Sequence, residues 1–429
     1  MKINQAVILA AGKGERLEPF THTKPKPMIQ VLDKPFIHYI LENLRSIGVS
    51  EVVFVVNYLK EKIIDYVEKR FSNTFSSIKF VDQREPLGTG HALKAAEKHV
   101  KGRFFLIYGD VYTEVSNLRK ILKKSESYEN VIAAVETEKP WDYGVLIEEN
   151  GLLKGIVEKP KPGTEPSNIV NAGIYVLSNH VLSYLDNVKL SPRGEIEITD
   201  ALTLMSKYEK IAIAKISKSE WLELGRVWDI LDVNKYFLDK IVSQKILGDI
   251  ESNVIIKGNV LIREDTLVKS GTYIEGPVYI GKYSQIGPNS YIRPYTVLGE
   301  HVKIGALCEI KSSVIMNYTH IPHLNYVGDS VIGEHVNFGA GTIIANLRLD
   351  DKSIKVILKG RKVDSERRKL GAFIGDYVRT GIDVMLMPGV KVGAYSWISP
   401  GLVIYDDIPP YTFVKPKERS GYYFEEIKK

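Results

Sequence analysis

The sequence has a single cysteine, Cys308, so no disulfide can close within the chain and a reducing compartment is expected. It has no apolar run approaching the roughly 18 residues that a membrane-spanning helix needs. Residues 1–14 have neither the basic head nor the long apolar core of a secretory signal. These absences predict a cytoplasmic protein with no membrane partner. Also missing is any basic stripe interleaved with aromatics, so a net charge of +6 points away from nucleic acid and toward small phosphate-bearing molecules. The one basic run, Lys359, Arg361, Lys362, Arg367, Arg368 and Lys369, is broken by Asp364 and Glu366 and reads as a solvated loop.

At 429 residues the chain exceeds what one hydrophobic core serves, which predicts two domains. In the first half, short β-rich runs alternate with helical patterns. Residues 6–9 form an apolar strand before a glycine-bearing loop, 36–47 an amphipathic helix, and 51–56 and 104–107 further buried strands. The alternation predicts an α/β domain with a parallel sheet and crossover helices, whose ligands bind at the carboxyl ends of the strands.

Past Trp228 the rhythm changes. Residues 233–247 read as a connecting helix. A six-residue beat follows: Ile256, Ile262, Val268, Ile274, Ile280, Ile286, Ile292, Leu298, Ile304 and Ile310. A small or β-branched residue stands four places after each of these, from Val260 and Thr266 to Cys308 and Val314. After an interruption the beat is expected to resume at Ile374, Thr380, Leu386, Val392, Ile398 and Ile404. This is the hexapeptide repeat of a left-handed parallel β-helix, with the aliphatic inward and the small residue at the corner. Cys308 fills a corner slot, which favours a structural role over a nucleophilic one. The domains are therefore expected at 1–230 and 251–429, joined by 231–250.

The sharpest chemical signal is residues 9–29, LAAGKGERLEPFTHTKPKPMI. After a buried strand, Gly12 and Gly14 let the backbone turn tightly and present N–H groups to phosphate oxygens. Arg16 can grip a leaving pyrophosphate, and Lys26 can neutralise an attacked phosphoryl group. A glycine-rich turn alone is common, but joined to Pro25-Lys26-Pro27-Met28 it is specific.

This run resembles the signature of sugar-1-phosphate nucleotidylyltransferases, the family of bacterial dTDP-glucose and UDP-N-acetylglucosamine pyrophosphorylases. The resemblance implies a Rossmann-like domain in which Leu9, Ala10, Ala11, Gly12 and Gly14 hold the nucleotide. It further implies that Gln83, Gly88 and Thr89 meet the base, and that Tyr108, Gly109, Gly144, Glu158, Lys159 and Asn171 line the sugar-phosphate pocket. Arg193-Gly194-Glu195 followed by Thr199-Asp200 is another family segment. Mg²⁺ is the implied cofactor, on Asp110 and a second carboxylate. For the latter the family commonly shows Trp-x-Asp-x-Gly, whereas this sequence reads Trp221-Leu222-Glu223-Leu224-Gly225. Glu223 is the expected ligand, its extra methylene shifting the carboxylate by about one bond length.

In the second half, Arg293 and Lys311 each follow an inward aliphatic and lie 18 residues apart, one full coil. They should stack at about 4.8 Å, which is unfavourable unless an anion lies against them. The segments 321–329 and 337–342 resemble the acetyltransferase site of the bacterial bifunctional enzyme that makes UDP-N-acetylglucosamine, and of similar archaeal two-domain proteins. The resemblance covers nearly the whole chain. It implies that Arg293 and Lys311 hold a phosphate and that His323 is the general base freeing the substrate amine. Tyr326 and Asn337 would orient the sugar, and Asn346 and Lys352 would line the acceptor pocket. Imidazole suits that proton transfer near neutral pH. The residue after Asn346 is Leu347, where the bacterial enzymes usually carry an aromatic.

The expected activity is acetyl-CoA-dependent N-acetylation of glucosamine-1-phosphate, then uridylyl transfer from UTP to N-acetylglucosamine-1-phosphate with release of pyrophosphate. A monofunctional uridylyl- or thymidylyltransferase, using UTP or dTTP with a purely oligomerising β-helix, is the alternative. A third reading is a non-catalytic assembly subunit, which the presence of Gly12, Gly14, Arg16, Lys26 and Asp110 argues against. The expected assembly is a homotrimer or a dimer of trimers, and no nucleic-acid partner is expected.

Overall fold

The computed structural model describes residues 3–191, 193–417 and 422–426. The chain forms two compact units. The first comprises Met1–Lys13, Pro25–Met28 and Phe36–Glu223; the second comprises Gly14–Lys24, Ile29–Pro35 and Leu224–Lys429.

The strands of the first unit are β1 (Gln5–Ala10), β2 (Glu51–Val56), β3 (Ser77–Asp82), β4 (Arg103–Tyr108), β5 (Val111–Thr113), β6 (Asn130–Glu136), β7 (Gly144–Glu149), β8 (Leu152–Glu158), β9 (Ile169–Ser178), β10 (Ile211–Lys215) and β11 (Trp221–Glu223). Nine of them form one sheet in the order β3-β2-β1-β4-β9-β6-β10-β8-β7, while β5 and β11 pair separately. β1 and β4 are almost wholly buried, as strands covered by helices on both faces must be. Helix α1 (Phe36–Ser46) turns Phe36, Ile37, Ile40, Leu41 and Leu44 inward, close to the range its pattern predicts.

The sheet departs from the all-parallel expectation. Strands β1 to β4 are mutually parallel, but β9 runs antiparallel between β4 and β6, and β7 and β8 form a hairpin. The hairpin's cause is local. Asn150 and Gly151 both adopt positive φ, 54° and 77°, as a two-residue turn between right-twisted strands requires.

The second unit is a parallel β-coil with three sides. One side stacks strands from Lys245–Ile246 to Lys391–Val392, a second from Ile255–Lys257 to Val403–Ile404, and the third begins at Asp249–Ile250. Residues 18 apart pair in register, as Val260 with Val278 and Val278 with Thr296. The aliphatics of the beat, Ile262 to Ile310, are fully buried, and Ile374, Leu386, Val392 and Ile404 join them after the excursion. Corner hydroxyls close the coil: Ser284 Oγ donates to the Gly299 carbonyl and accepts from Val302 N–H. Cys308 occupies such a corner with Sγ 3.3 Å from the Ile321 carbonyl, and burial pushes its thiol pKa up.

Three expectations are corrected. The connecting helix runs Asp229–Asp239, not 233–247, because Ile246 belongs to the coil and pairs with Ile262. The beat does not stop at Ile310. It continues through Ile315, Ile321, Val327, Ile332, Phe338 and Ile344, with two sides shortened to five residues, so Val297 pairs with Val314 and Val314 with Val331. Between Ile344 and Phe373, residues 345–372 leave the coil, since Val331 next pairs with Phe373. The first half of the basic run, Lys359, Arg361 and Lys362, lies on a β-hairpin, Lys355–Leu358 against Arg361–Asp364, that buries Val356 and Leu358, whereas Arg367 and Arg368 follow it in irregular chain.

One corner carries an aromatic ladder of Tyr283, His301, Tyr318, His335, Tyr377, Tyr395 and Tyr411, with neighbouring ring centroids 4.7 to 5.0 Å apart. Each of these residues holds a left-handed φ near 60° that repeats coil after coil and aims every ring the same way.

Candidate active sites

In the first unit, β1 and β4 end together: Leu9 pairs with Tyr108, and Gly109 N–H donates to the Leu9 carbonyl at 2.8 Å. Asp110 follows directly. Across from it the turn Lys26–Met28, held by buried Pro27, brings the Lys26 Nζ against the Asp110 Oδ2. The sequence offered no distance between residues 84 positions apart; the strand ends supply it.

Strand β5 continues from Asp110 and pairs antiparallel with β11, with Glu223 opposite Val111. The second expected metal ligand is thus placed across the ribbon from the residue after the first. Trp221 pins β11 by donating its Nε1 to the Ala172 carbonyl at 2.9 Å and lying against Tyr143. Among the described residues no group of three or more His, Cys, Asp or Glu side chains suits a metal ion. Two carboxylates with substrate phosphates and water are nevertheless the usual surroundings of Mg²⁺, and the hard oxygen donors present fit it.

An added Cβ at Gly12 would meet nothing within 4 Å, so the packing of the protein does not itself demand glycine there. Gly88 is different. Its φ is 102° and a Cβ would come within 2.6 Å of the Ile196 carbonyl. Gln83 braces this loop, donating Nε2 to the Gly88 carbonyl at 3.1 Å, and Thr89 Oγ1 accepts from Ile198 N–H at 3.1 Å. Gly14 (φ 71°) and Arg16, which belong to the second unit, stand at the start of the turn Glu15–Leu17.

Glu158 at the end of β8 sits opposite Gly144 on β7, and Lys159 follows with its N–H on the Tyr143 carbonyl. Asn171 donates to Tyr175, whose hydroxyl donates to Tyr108. Burial pushes both tyrosine pKa values up, so both stay neutral hydrogen-bonding groups. Tyr175 carried no motif signal, since it reads as an apolar-strand residue. Arg193 bridges Glu158 at 3.2 Å and Glu197 at 2.7 Å beside a cavity of about 620 Å³ that Lys159, Asp200 and Lys207 also line.

Glu197 is pushed up to about 7, first by burial, then by a hydrogen bond and charge from Glu195 and by the Glu158 charge, with Arg193 opposing. A raised pKa favours the protonated folded form. The stability it contributes is complete below about 4.5 and is lost as pH rises through about 7. Glu197→Gln should flatten the fall in melting temperature over that window, read by thermal melts at stepped pH. Parallel curves for variant and wild type would refute it.

In the second unit, Arg293 and Lys311 follow Ile292 and Ile310 on adjacent coils of one side. Each, however, has its own acid: Arg293 meets Glu309 at 2.6 Å, and Lys311 meets Asp329 at 3.0 Å. The stacked cations are therefore compensated, and their repulsion does not by itself call for an anion. The partners lie about one coil further along the chain, so the coil period was the signal that would have found them. Asn346 Nδ2 reaches the Asp329 carboxylate at 2.5 Å and the Tyr326 hydroxyl at 3.1 Å, gathering Lys311, Asp329, Tyr326 and Asn346 into one cluster.

His323 and Asn337 are not in that cluster. His323 ends a strand on the neighbouring side, opposite Ala306, and Asn337 stacks in line with His320 and Arg379. Lys352 lies exposed on the excursion, its N–H on Asp350. One chain thus presents the residues expected for acetyl transfer on two adjacent sides.

No described helix is long and apolar enough to cross a membrane. The chain matches the nucleotidyl transferase family over residues 5–240 and the GMPPB C-terminal domain over residues 274–387. It is 50% identical over 413 residues to the bifunctional sugar-1-phosphate nucleotidylyltransferase/acetyltransferase of Sulfurisphaera tokodaii, covering 96% of this chain and 100% of that one. It is 45% identical over 415 residues to the bifunctional protein GlmU of Methanocaldococcus jannaschii, covering 96% and 98%. A UDP-glucose pyrophosphorylase complexed with UDP-glucose superposes on 56% of this chain and 99% of its own, at 27% identity and a TM-score of 0.51.

Proposed function

Because this chain belongs to the nucleotidyl transferase family, among its bifunctional nucleotidylyltransferase/acetyltransferase members, we propose that it acetylates glucosamine-1-phosphate and then uridylylates the product to UDP-N-acetylglucosamine. One relative aligned over its whole length bears both activities in its name, and others aligned over nearly theirs are named bifunctional, which favours this reading over a monofunctional enzyme with an inert coil. We assign nucleotidylyl transfer to residues 1–230 and acetyl transfer to 251–429, with 231–250 joining them. The coil is taken as left-handed, the assembly as a homotrimer or a dimer of trimers, and the compartment as the cytoplasm.

The observation that carries the nucleotidylyl step is the Lys26–Asp110 pair at the carboxyl ends of β1 and β4. An oxygen of the sugar phosphate attacks the α-phosphorus of UTP, the bond to the β-phosphate bridging oxygen breaks, and pyrophosphate leaves. The nucleophile is already anionic, so no general base is needed. Lys26 neutralises the α-phosphoryl oxygens, Arg16 takes the pyrophosphate, and the backbone from Leu9 through Ala10, Ala11 and Gly12 to Gly14 cradles the phosphates. Gln83, Gly88 and Thr89 orient the base. Tyr108, Gly109, Gly144, Glu158, Lys159 and Asn171 place the sugar phosphate. Asp110 and Glu223 would hold Mg²⁺, which supplies charge neutralisation at the phosphates when bound. Glu223→Gln should raise the Mg²⁺ concentration at half-maximal rate by at least roughly 10-fold, since even outer partners of a metal site are worth that much. An unchanged magnesium titration would remove Glu223 from the site.

For acetyl transfer, His323 accepts a proton from the sugar amine as nitrogen attacks the thioester carbonyl and the thiol leaves. Arg293 and Lys311 hold the phosphate, Tyr326 and Asn337 orient the sugar, and Asn346 and Lys352 complete the acceptor pocket. A trimer of coils brings the two sides that carry these residues against one another. The test is a matrix of UTP and dTTP against several sugar phosphates, with acetyl-CoA present or absent, reading pyrophosphate and free thiol. Pyrophosphate without thiol from any amino-sugar phosphate would overturn the bifunctional assignment.

A further inference from the structure

Gln83, the residue expected to meet the nucleobase, has an amide held at both of its hydrogens. It follows β3 directly and is 5% exposed, and its backbone N–H donates to the Val56 carbonyl at 2.9 Å. It therefore stands at the carboxyl ends of β2 and β3, in the row where β1 and β4 also end. Its Nε2 lies 3.1 Å from the Gly88 carbonyl and 3.2 Å from the His91 Nδ1. A carbonyl only accepts, so the group facing Gly88 is the NH2. The NH2 in turn only donates, so His91 presents the lone pair of Nδ1 and carries its ring hydrogen on Nε2. Both amide hydrogens are thus engaged within the protein. Oε1 has no partner among the described residues and is the amide atom left for a ligand.

The two acceptors are themselves fixed. The Gly88 carbonyl also accepts from Ala92 N–H at 3.1 Å, in the first turn of the helix Thr89–Ala95. His91 rides on that helix, whose Ala92 and Leu93 pack into the core of the sheet. Gly90 N–H donates to the Ile196 carbonyl at 2.8 Å, which ties down the start of the same turn. All of these residues belong to the first unit. An amide tied by one hydrogen bond can swing about it; tied by two, it has a fixed plane and a fixed direction for Oε1. A lone acceptor aimed in this way matches a ring nitrogen that bears hydrogen, as N3 does in uracil and thymine. It opposes the bare N3 of cytosine, acceptor against acceptor.

We infer that His91 is a positioning residue for base selection: by accepting the second amide hydrogen of Gln83, it aims Oε1 at the N3–H of uracil or thymine and disfavours cytosine. The inference rests on the proposed function, which places Gln83 at the base. His91 acts through Gln83 and takes no part in the phosphoryl step.

The experiment uses the full-length protein as wild type, His91→Leu and His91→Asn. Binding of UTP, dTTP and CTP in the presence of Mg²⁺ is measured by titration calorimetry, and kcat/KM for each by pyrophosphate release. Re-immobilising one freed side chain costs about five- to tenfold in affinity, so His91→Leu is expected to weaken UTP and dTTP by about that factor. CTP should stay within about twofold, since it makes no use of Oε1, and so should kcat at saturating UTP. His91→Asn, whose side-chain carbonyl can accept from the same NH2, should recover most of the preference. Equal weakening of all three nucleotides, which a merely structural role would give, or an unchanged UTP-to-CTP ratio in His91→Leu, would overturn the inference. So would a wild type that binds UTP and CTP alike. A wild type that prefers UTP through His91 yet releases no pyrophosphate would instead sink the proposed transfer reaction and leave base selection standing.

Discussion

Replacing Lys26 by alanine is expected to lower nucleotidylyl transfer by about 1,000-fold, close to 4 kcal/mol of transition-state stabilisation, with acetyl transfer untouched. The size follows from the role. In the proposed reaction no proton moves at the phosphoryl centre, so catalysis would consist of alignment and charge neutralisation, with Lys26 the cation delivered beside Asp110 by a proline-stiffened turn. A neutral donor that removed one hydrogen bond would cost less. Lys26→Arg should not rescue, because the planar guanidinium is larger and would meet Asp110 in a different geometry. Pyrophosphate release under saturating substrate measures the effect. A loss below about tenfold would take the residue out of the chemistry.

His323→Ala is expected to abolish most acetyl transfer, on the order of 100- to 10,000-fold, while pyrophosphate release from the preformed N-acetyl substrate continues at the wild-type rate. An amine nucleophile must lose its proton near neutral pH, and imidazole is matched to accept it. The residual rate of the variant should climb as pH is raised and the substrate amine deprotonates unaided. A flat residual profile, or thiol release near that of wild type, would assign the proton to another group. His323 lies exposed at a strand end, so the substitution leaves no cavity and the fold should persist.

Comparing the two sites shows which features are readable from order alone. The glycine loop, the Pro-Lys-Pro turn and Asp110 are contiguous runs whose chemistry depends on neighbours in sequence. The hexapeptide beat is equally legible, because a coil repeats the same packing problem every six residues and answers it with the same residue classes. Hidden features are those where one step of the pattern is dropped. The five-residue sides after Ile310 and Val327 make a continuous coil look interrupted, since the core needs an inward aliphatic on each side but not a fixed count between them. The acids facing Arg293 and Lys311 were likewise concealed, although they stand about one coil away.

By itself the sequence determined that a strand, a glycine-bearing loop and a basic turn precede a repeating coil, because backbone conformation and side-chain periodicity are properties of short stretches. Which groups meet was decided only by the tertiary structure. Lys26 against Asp110, Glu158 against Arg193 and Lys24 between Glu334 and Asp376 each join residues tens to hundreds of positions apart. Coulomb attraction acts over a few ångströms in space regardless of separation along the chain, so those partnerships exist only after the sheet and coil have brought the charges together.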